Sequence, residues 1–193
     1  MIKIDDWVIE KGEKAQGKIE ITGCGMAMPA TVICGVEDGP TILITAGVHS
    51  AEYVGIQAAM ELAKEFQPEE LKGNVIIIPL VNVSGFEHRT MSMVYEDGKN
   101  LNRVFPGDPE GTAADRIAYT MVTKLFSITD YYIDLHSGDD YDDLTPFVYY
   151  AGKGEKEVVE ISRKMAQHVD VPYMIRSNVE SGGSYNYAAT CGI

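Results

Sequence analysis

A continuous apolar run is the feature that most limits how this chain can fold. Residues 74–81 (NVIIIPLV) follow Gly73 and are almost all apolar, which is typical of a strand buried on both faces of a sheet. Such a sheet needs helices above and below it. Other strand-like runs alternate with helical periodicity: strands at 18–22, 30–34, 41–46, 131–135, 147–150 and 172–176, and helices at 51–66, 112–126 and 155–168. The sequence therefore predicts a three-layer α/β/α fold with a mixed, mostly parallel central sheet.

A turn signal adds one local expectation about this sheet. Residues 37–40 (EDGP) separate the runs 30–34 and 41–46. Dipeptides such as Asp-Gly and Gly-Pro favour turns, so we expect these two runs to pair as a hairpin. Ligands of open α/β sheets bind beyond the carboxyl ends of the strands, and the chemistry is expected there.

Length and charge limit the class of protein. The chain has 193 residues, which suits a single domain, and a formal net charge of −13. This charge disfavours nucleic acid as a partner, because phosphate binding relies on Lys and Arg. The sequence has no apolar run of membrane-spanning length, so we expect no membrane span, and it has no apolar signal core near Met1 that would indicate secretion. Whether the chain forms a homo-oligomer stays open. Three cysteines fit neither a disulfide framework nor a C-x-x-C zinc site, so we expect a cytoplasmic protein: Cys24, Cys34 and Cys191.

Two histidines follow predicted strands at the ends where ligands are expected. His49 comes after the run 41–46, and His136 comes after the run 131–135. Glu52 stands three residues beyond His49, a spacing that lets both side chains aim at one point. Two imidazoles and one carboxylate are the donor set of a catalytic zinc ion. The plainer alternative is three ordinary polar residues, because H-x-x-E by itself is a weak signal.

Polar residues near these histidines are candidates for supporting roles. Asn102 and Arg103 lie between them in a loop, and an amide beside a guanidinium suits capture of a carboxylate; a solvated arginine is the alternative. Asp134 lies two residues before His136, so it either orients that histidine or is an ordinary buried aspartate. Four further aspartates follow His136 and are expected to form a solvated loop: Asp139, Asp140, Asp142 and Asp143. If this loop lies at the rim of the site, its negative charge would favour a substrate that carries an amine.

Three motifs in order carry a resemblance to a known family. H-x-x-E at 49–52, L-N-R-x-F-P-G at 101–107 and D-L-H-S at 134–137 resemble the succinylglutamate desuccinylase/aspartoacylase family of zinc metallocarboxypeptidase-like hydrolases, over residues 29–193. The resemblance implies a zinc-carboxypeptidase-like fold and one Zn²⁺ per chain. It also implies that His49, Glu52 and His136 bind the zinc and that Asn102 and Arg103 hold a substrate carboxylate. The implied reaction is hydrolysis of the amide bond of a small N-acyl amino acid or a similar carboxylate-bearing amide.

The sequence departs from the family pattern at three places. Asn100 stands where relatives commonly have an aspartate that orients a zinc-ligand histidine, so it can accept a hydrogen bond but has no charge. Relatives also often carry an arginine, in the loop before L-N-R, that polarises the scissile carbonyl; in the stretch 89–93 the resemblance leaves only Arg89 for this role. The family's general base is a glutamate on a later strand; Glu180 does not match that motif, and no catalytic residue is assigned. We therefore expect residues 1–193 to form a single zinc hydrolase domain that is incomplete at its C-terminus, with the base beyond Ile193 and this chain alone inactive.

Two other functions remain open from the sequence. A metallocarboxypeptidase acting on peptides would use the same metal ligands. A zinc- or ligand-binding module without turnover would agree with the finding that no glutamate in this sequence matches the family's general base. The acyl group and the amine of the substrate are also left open.

Overall fold

A computed structural model describes residues 1–179 and 182–193. Within these residues the strands are β1 (Ile2–Ile4), β2 (Trp7–Ile9), β3 (Lys14–Glu20), β4 (Ala27–Cys34), β5 (Glu37–Ala46), β6 (Lys72–Ile78), β7 (Tyr131–Leu135), β8 (Phe147–Ala151) and β9 (Tyr173–Ser177). The helices are α1 (Tyr53–Glu65), α2 (Val83–His88), α3 (Ala113–Thr120), α4 (Lys156–Ala166) and α5 (Ser184–Thr190). Short 3₁₀ turns cover Pro68–Glu70, Leu101–Arg103 and Phe126–Ile128, and a π-helical turn covers Met121–Leu125.

The central sheet has five strands in the order β3-β4-β6-β5-β7. β4 is antiparallel to both β3 and β6, whereas β5 is parallel to both β6 and β7. Four strands therefore run in one direction and β4 runs against them. β1 pairs with β2, and β8 pairs with β9, outside this sheet. The predicted mixed, mostly parallel sheet is confirmed.

Apolar side chains cover both faces of this sheet. Ile44 and Ile77 join a buried cluster with residues of α1 on one face. Leu43 and Ile76, their neighbours along β5 and β6, join a second cluster with residues of α3 on the other face. Successive residues of a strand point to opposite faces, so these two strands contribute to both clusters. The three-layer arrangement is confirmed, and the apolar run 74–81 is explained by its central position.

The expected hairpin between the runs 30–34 and 41–46 is wrong. β6 lies between β4 and β5, and residues 37–40 begin β5 instead of forming a turn. The short connection crosses the start of β6, where Gly35 donates a backbone hydrogen bond to Gly73 at 2.9 Å. A Cβ on Gly35 would lie 2.5 Å from the Gly73 carbonyl oxygen, so only glycine permits this crossing. The strand that is apolar on both faces takes the central place because it gains the most burial there.

Two of the three predicted helices agree with the structure apart from their ends, and the third is only partly a regular α-helix. α1 and α4 lie inside the segments 51–66 and 155–168, and α3 begins where the Thr112 backbone nitrogen donates to Asp115 at 3.0 Å. The segment 112–126 is not one regular helix, because the backbone widens into the π-helical turn. α2 and α5 have six and seven residues, too few for periodicity to reveal. Among residues 1–179 and 182–193, no helix has the length and apolar character that crossing a membrane requires.

Candidate metal centre and substrate site

Two parallel strands bring the two histidines to one edge of the sheet. β5 and β7 are neighbours with Ala46 opposite Leu135, so the residues that follow them emerge together. Gly47 follows β5 with a φ of +64°, and a Cβ there would meet a neighbouring side chain at 2.7 Å. Glycine is therefore required at the turn that leads to His49, while His136 follows β7 directly.

Glu52 lies between the two imidazoles at the N-cap of α1. Its Oε1 is 2.8 Å from His49 Nδ1, and its Oε2 is 2.6 Å from His136 Nδ1. One ligand atom from each of the three residues lies within 4.8 Å of the others. Gly55 permits this arrangement, because a Cβ there would lie 3.0 Å from the Leu135 carbonyl oxygen and would push α1 away from β7. The structure thus brings together all three residues that the sequence indicated as metal ligands.

The second ring nitrogen of each histidine also has a partner. His49 Nε2 is 3.1 Å from Asn100 Oδ1, and His136 Nε2 is 3.0 Å from Asp134 Oδ2. Asn100 Oδ1 also accepts from the backbone nitrogen of Asn102 at 2.9 Å, and a carboxylate oxygen only accepts. Both Nε2 atoms are therefore donors, and both Nδ1 atoms face the centre, where they are available to a metal ion.

The charges of this group depend strongly on one another. Burial raises the pKa of Glu52, but hydrogen bonds from His136 and His49 outweigh burial and lower that pKa to about 2. Burial lowers the pKa of His136, but the charge of Asp134 and the hydrogen bonds to both carboxylates raise it to about 11. The Asp134 side chain is 3% exposed; burial raises its pKa, yet the charge of His136 lowers the net value. The two carboxylates therefore stabilise positive charge on His136, and a cation at the centre would take the place of the proton on its Nδ1.

Asn102 and Arg103 line the same cavity as the three candidate metal ligands. The cavity has a volume of about 1220 Å³ and extends from His49 along β7 to β8 and α4. Asn102 is buried, and its Oδ1 accepts from the Ser184 backbone nitrogen at 2.8 Å, so its amide nitrogen is the group that remains to donate. Arg103 is exposed and donates to the Asn102 carbonyl at 2.7 Å. A guanidinium has five N–H donors, so donors remain for a ligand.

The acidic loop that follows β7 reaches the rim of this cavity. Asp140, Asp142 and Asp143 are exposed and line the cavity. Burial and the nearby charge of Glu52 raise the pKa of Asp139. These three aspartates are thus solvated as expected, whereas Asp139 is half-buried, and the loop contributes negative charge beside the candidate metal ligands.

One residue that the sequence suggested lies away from the cavity, and two residues that no motif indicated support the site. Arg89 is exposed at the C-cap of α2 and is not among the described residues that line the cavity. Glu180 lies outside the described residues. Ser184 and Thr45 are fully buried and donate to Asp134 at 2.5 and 2.6 Å. No motif marks either residue, and the only signal is a polar Thr45 in an apolar strand.

Comparisons with known proteins agree with this geometry. Residues 38–193 match the model of the succinylglutamate desuccinylase/aspartoacylase catalytic domain. N-alpha-acetyl-L-2,4-diaminobutyric acid deacetylase from Halomonas elongata is 36% identical over 169 residues, which cover 86% of this chain and 46% of that protein. The product-bound ectoine utilization protein EutE (DoeB) from Ruegeria pomeroyi is 28% identical with a TM-score of 0.84, over 96% of this chain and 58% of that chain.

A further solved structure gives the same result. The succinylglutamate desuccinylase/aspartoacylase from Rhodobacter sphaeroides is 26% identical with a TM-score of 0.82, over 96% of this chain and 56% of that chain. The chain spans about half the length of the relatives that it matches. The motifs, the fold and the match to the family's catalytic-domain model together show that the chain belongs to the succinylglutamate desuccinylase/aspartoacylase family.

Proposed function

We propose that this protein is a zinc-dependent deacylase that hydrolyses the amide bond of a small N-acyl amino acid. The observation that carries the proposal is the convergence of His49, Glu52 and His136, with ligand atoms within 4.8 Å of one another, at the carboxyl ends of neighbouring strands. Family membership and the name of the Halomonas elongata deacetylase support this class of reaction.

The donor set fits zinc. Two imidazole nitrogens and one carboxylate oxygen are a common catalytic zinc set, which leaves a coordination position open. When bound, zinc supplies a Lewis acid for the amide carbonyl and a water of lowered pKa. The chain's own contribution is to hold the donors: Asn100 and Asp134 fix the Nε2 atoms, so that both Nδ1 atoms point inward.

Asn102 and Arg103 are proposed to bind the substrate carboxylate. The guanidinium of Arg103 and the free amide nitrogen of Asn102 are donors in the same cavity as the metal ligands. Charge-assisted hydrogen bonds of this kind orient a carboxylate and also bind it. Binding there would place the amide of an N-acyl amino acid near His49 and His136.

We further propose that the substrate carries an amine. Asp140, Asp142 and Asp143 at the cavity rim favour an ammonium and disfavour a substrate with two carboxylates. The name of the Halomonas elongata relative, a deacetylase of a diamino acid derivative, supports this preference. The test compares the turnover of succinylglutamate and of Nα-acetyl-2,4-diaminobutyrate by the whole enzyme; equal or faster turnover of succinylglutamate would refute the preference.

One experiment separates the candidate functions. Zinc content is measured for the wild type, for His49→Ala and for His88→Ala, an exposed histidine outside the site, and each protein is then offered N-acyl amino acids and short peptides. One zinc per chain with hydrolysis of N-acyl amino acids supports the proposal. Cleavage of peptides instead supports a metallocarboxypeptidase. Stoichiometric zinc without turnover supports a binding module, which agrees with the inactivity expected of residues 1–193 alone. Absence of zinc from the wild type refutes all three functions.

We also propose that residues 1–193 act as one domain and that the protein is cytoplasmic. Its cysteines support a reducing compartment, because each is a free thiol: Cys24, Cys34 and Cys191. Cell fractionation tests the location.

A further inference from the structure

Asp134 lies behind His136 and is held from two other sides. Its Oδ2 is 3.0 Å from His136 Nε2 and accepts from Ser184 Oγ at 2.5 Å. Its Oδ1 accepts from Thr45 Oγ1 at 2.6 Å. Because Ser184 and His136 share one carboxylate oxygen, the hydroxyl of Ser184 helps to decide where that oxygen meets the imidazole.

The backbone of Ser184 reaches the other half of the site. Its nitrogen donates to Asn102 Oδ1 at 2.8 Å, and the nitrogen of Asn102 donates to Asn100 Oδ1 at 2.9 Å. Asn100 Oδ1 in turn lies 3.1 Å from His49 Nε2. Ser184 therefore connects the outer nitrogens of both histidines through one series of hydrogen bonds, which we call the Ser184 chain: Asn100, Asn102, Ser184 and Asp134.

The members of the Ser184 chain are distant in sequence, and the hydrogen bond between Ser184 and Asn102 is buried. Ser184 begins α5, whereas its two partners lie 82 and 50 residues earlier. Ser184 is 0% exposed and Asn102 is 9% exposed. A buried hydrogen bond of this kind defines relative positions well, because a lost partner is not replaced by water.

We infer that Ser184 is a positioning residue: its hydroxyl fixes Asp134 against His136, and its backbone nitrogen fixes Asn102. One residue would then set the spacing between a metal ligand and the amide that binds the substrate carboxylate. The inference rests on the proposed function for the roles of His136 and Asn102. It goes beyond that function by assigning a role to a residue outside the three motifs.

The test removes the hydroxyl and keeps the backbone. Ser184→Ala is expected to weaken zinc binding about 10-fold, the lower range for loss of a group that supports a ligand. Ser184→Thr keeps a hydroxyl and is expected to bind zinc more tightly than Ser184→Ala. Thr129→Val is the matched control, because it removes a buried hydroxyl that donates to the Leu125 carbonyl at 2.8 Å, outside the Ser184 chain.

Two measurements make the outcome decisive. Zinc affinity is measured by competition with a chelator, and imidazole ¹⁵N NMR of the metal-free protein reports the Nε2 hydrogen bond of His136. Wild-type zinc affinity in folded Ser184→Ala overturns the inference and leaves the proposed function standing. If the wild type binds no zinc, the proposed function fails, and the inference is then judged from the ¹⁵N NMR signals of the His136 ring. A change in these signals in Ser184→Ala but not in Thr129→Val supports the inference, and unchanged signals in Ser184→Ala overturn it. Ser184→Cys, a weak donor of similar size, replaces the alanine variant under the same criteria if that variant does not fold.

Discussion

Replacing Glu52 by glutamine tests the metal centre most directly, because the change removes a charge and almost no volume. Oε2 of Glu52 accepts from the Ser137 backbone nitrogen at 3.2 Å and lies 2.6 Å from His136 Nδ1, so the amide oxygen of Glu52→Gln is expected to occupy this side. The amide nitrogen would then face His49 Nδ1, which now lies 2.8 Å from a carboxylate oxygen. A donor replaces an acceptor at the centre of the ligand group.

The size of the effect follows from the number of ligands. Structural zinc sites with four protein ligands bind with about 10–16 kcal/mol at pH 7, or about 3 kcal/mol for each ligand. Loss of the Glu52 carboxylate is therefore expected to weaken zinc binding by about 3 kcal/mol, which is roughly 100-fold. The fold should persist, because glutamine keeps the volume and one oxygen of the glutamate.

The assay is chelator competition with zinc on the wild type, Glu52→Gln and Glu61→Gln. Glu61 is a suitable control because it lies exposed on the same helix and accepts from Gln57 at 2.8 Å, away from the site. Glu61→Gln is expected to bind zinc like the wild type. Folded Glu52→Gln with wild-type zinc affinity would show that the three residues do not act as a ligand group.

Further predictions concern the second histidine, the carboxylate site and metal removal. His136→Ala is expected to lose stoichiometric zinc in metal analysis, whereas His88→Ala, whose Nδ1 bonds the Ser84 carbonyl at 2.9 Å, should keep it. Arg103→Ala is expected to weaken binding of an N-acetyl amino acid about 10- to 100-fold by calorimetry, because a hydrogen bond to a charged group is worth about 1.5–3 kcal/mol, while zinc affinity should not change. Zinc at about 100 times its Kd should stabilise the fold by about 2.7 kcal/mol and raise the Tm by roughly 5–10 °C, reversibly with a chelator. An unchanged Tm would contradict zinc binding to the folded chain.

Much of the site could be predicted because its residues follow strongly patterned strands. The runs 41–46 and 131–135 correspond to the ends of β5 and β7, and the side chains after them had to emerge at the carboxyl edge of the sheet. The spacing of His49 and Glu52 then pointed to one centre. Their convergence with His136 is a consequence of β5 and β7 being parallel neighbours in register.

Strand order could not be predicted in the same way. The turn signal at residues 37–40 describes local backbone preference and carries no information about which strand lies alongside. β6 separates β4 from β5 because its apolar faces are buried best at the centre, and glycines at positions 35 and 73 allow the connection to cross it. Pairing is decided by burial over the whole sheet, which no short window of sequence contains.

Local sequence is thus sufficient for the apolar strands, the main helices and the polar residues at the strand ends, because each depends on neighbours a few positions away. The fold alone decides which of those residues meet and what holds them. Thr45 and Ser184 reach Asp134 across 89 and 50 residues, and neither belongs to a motif. Contacts over such separations form only when burial of the sheet and of α5 brings the segments together, so the positions that support the ligands become visible only in the folded chain.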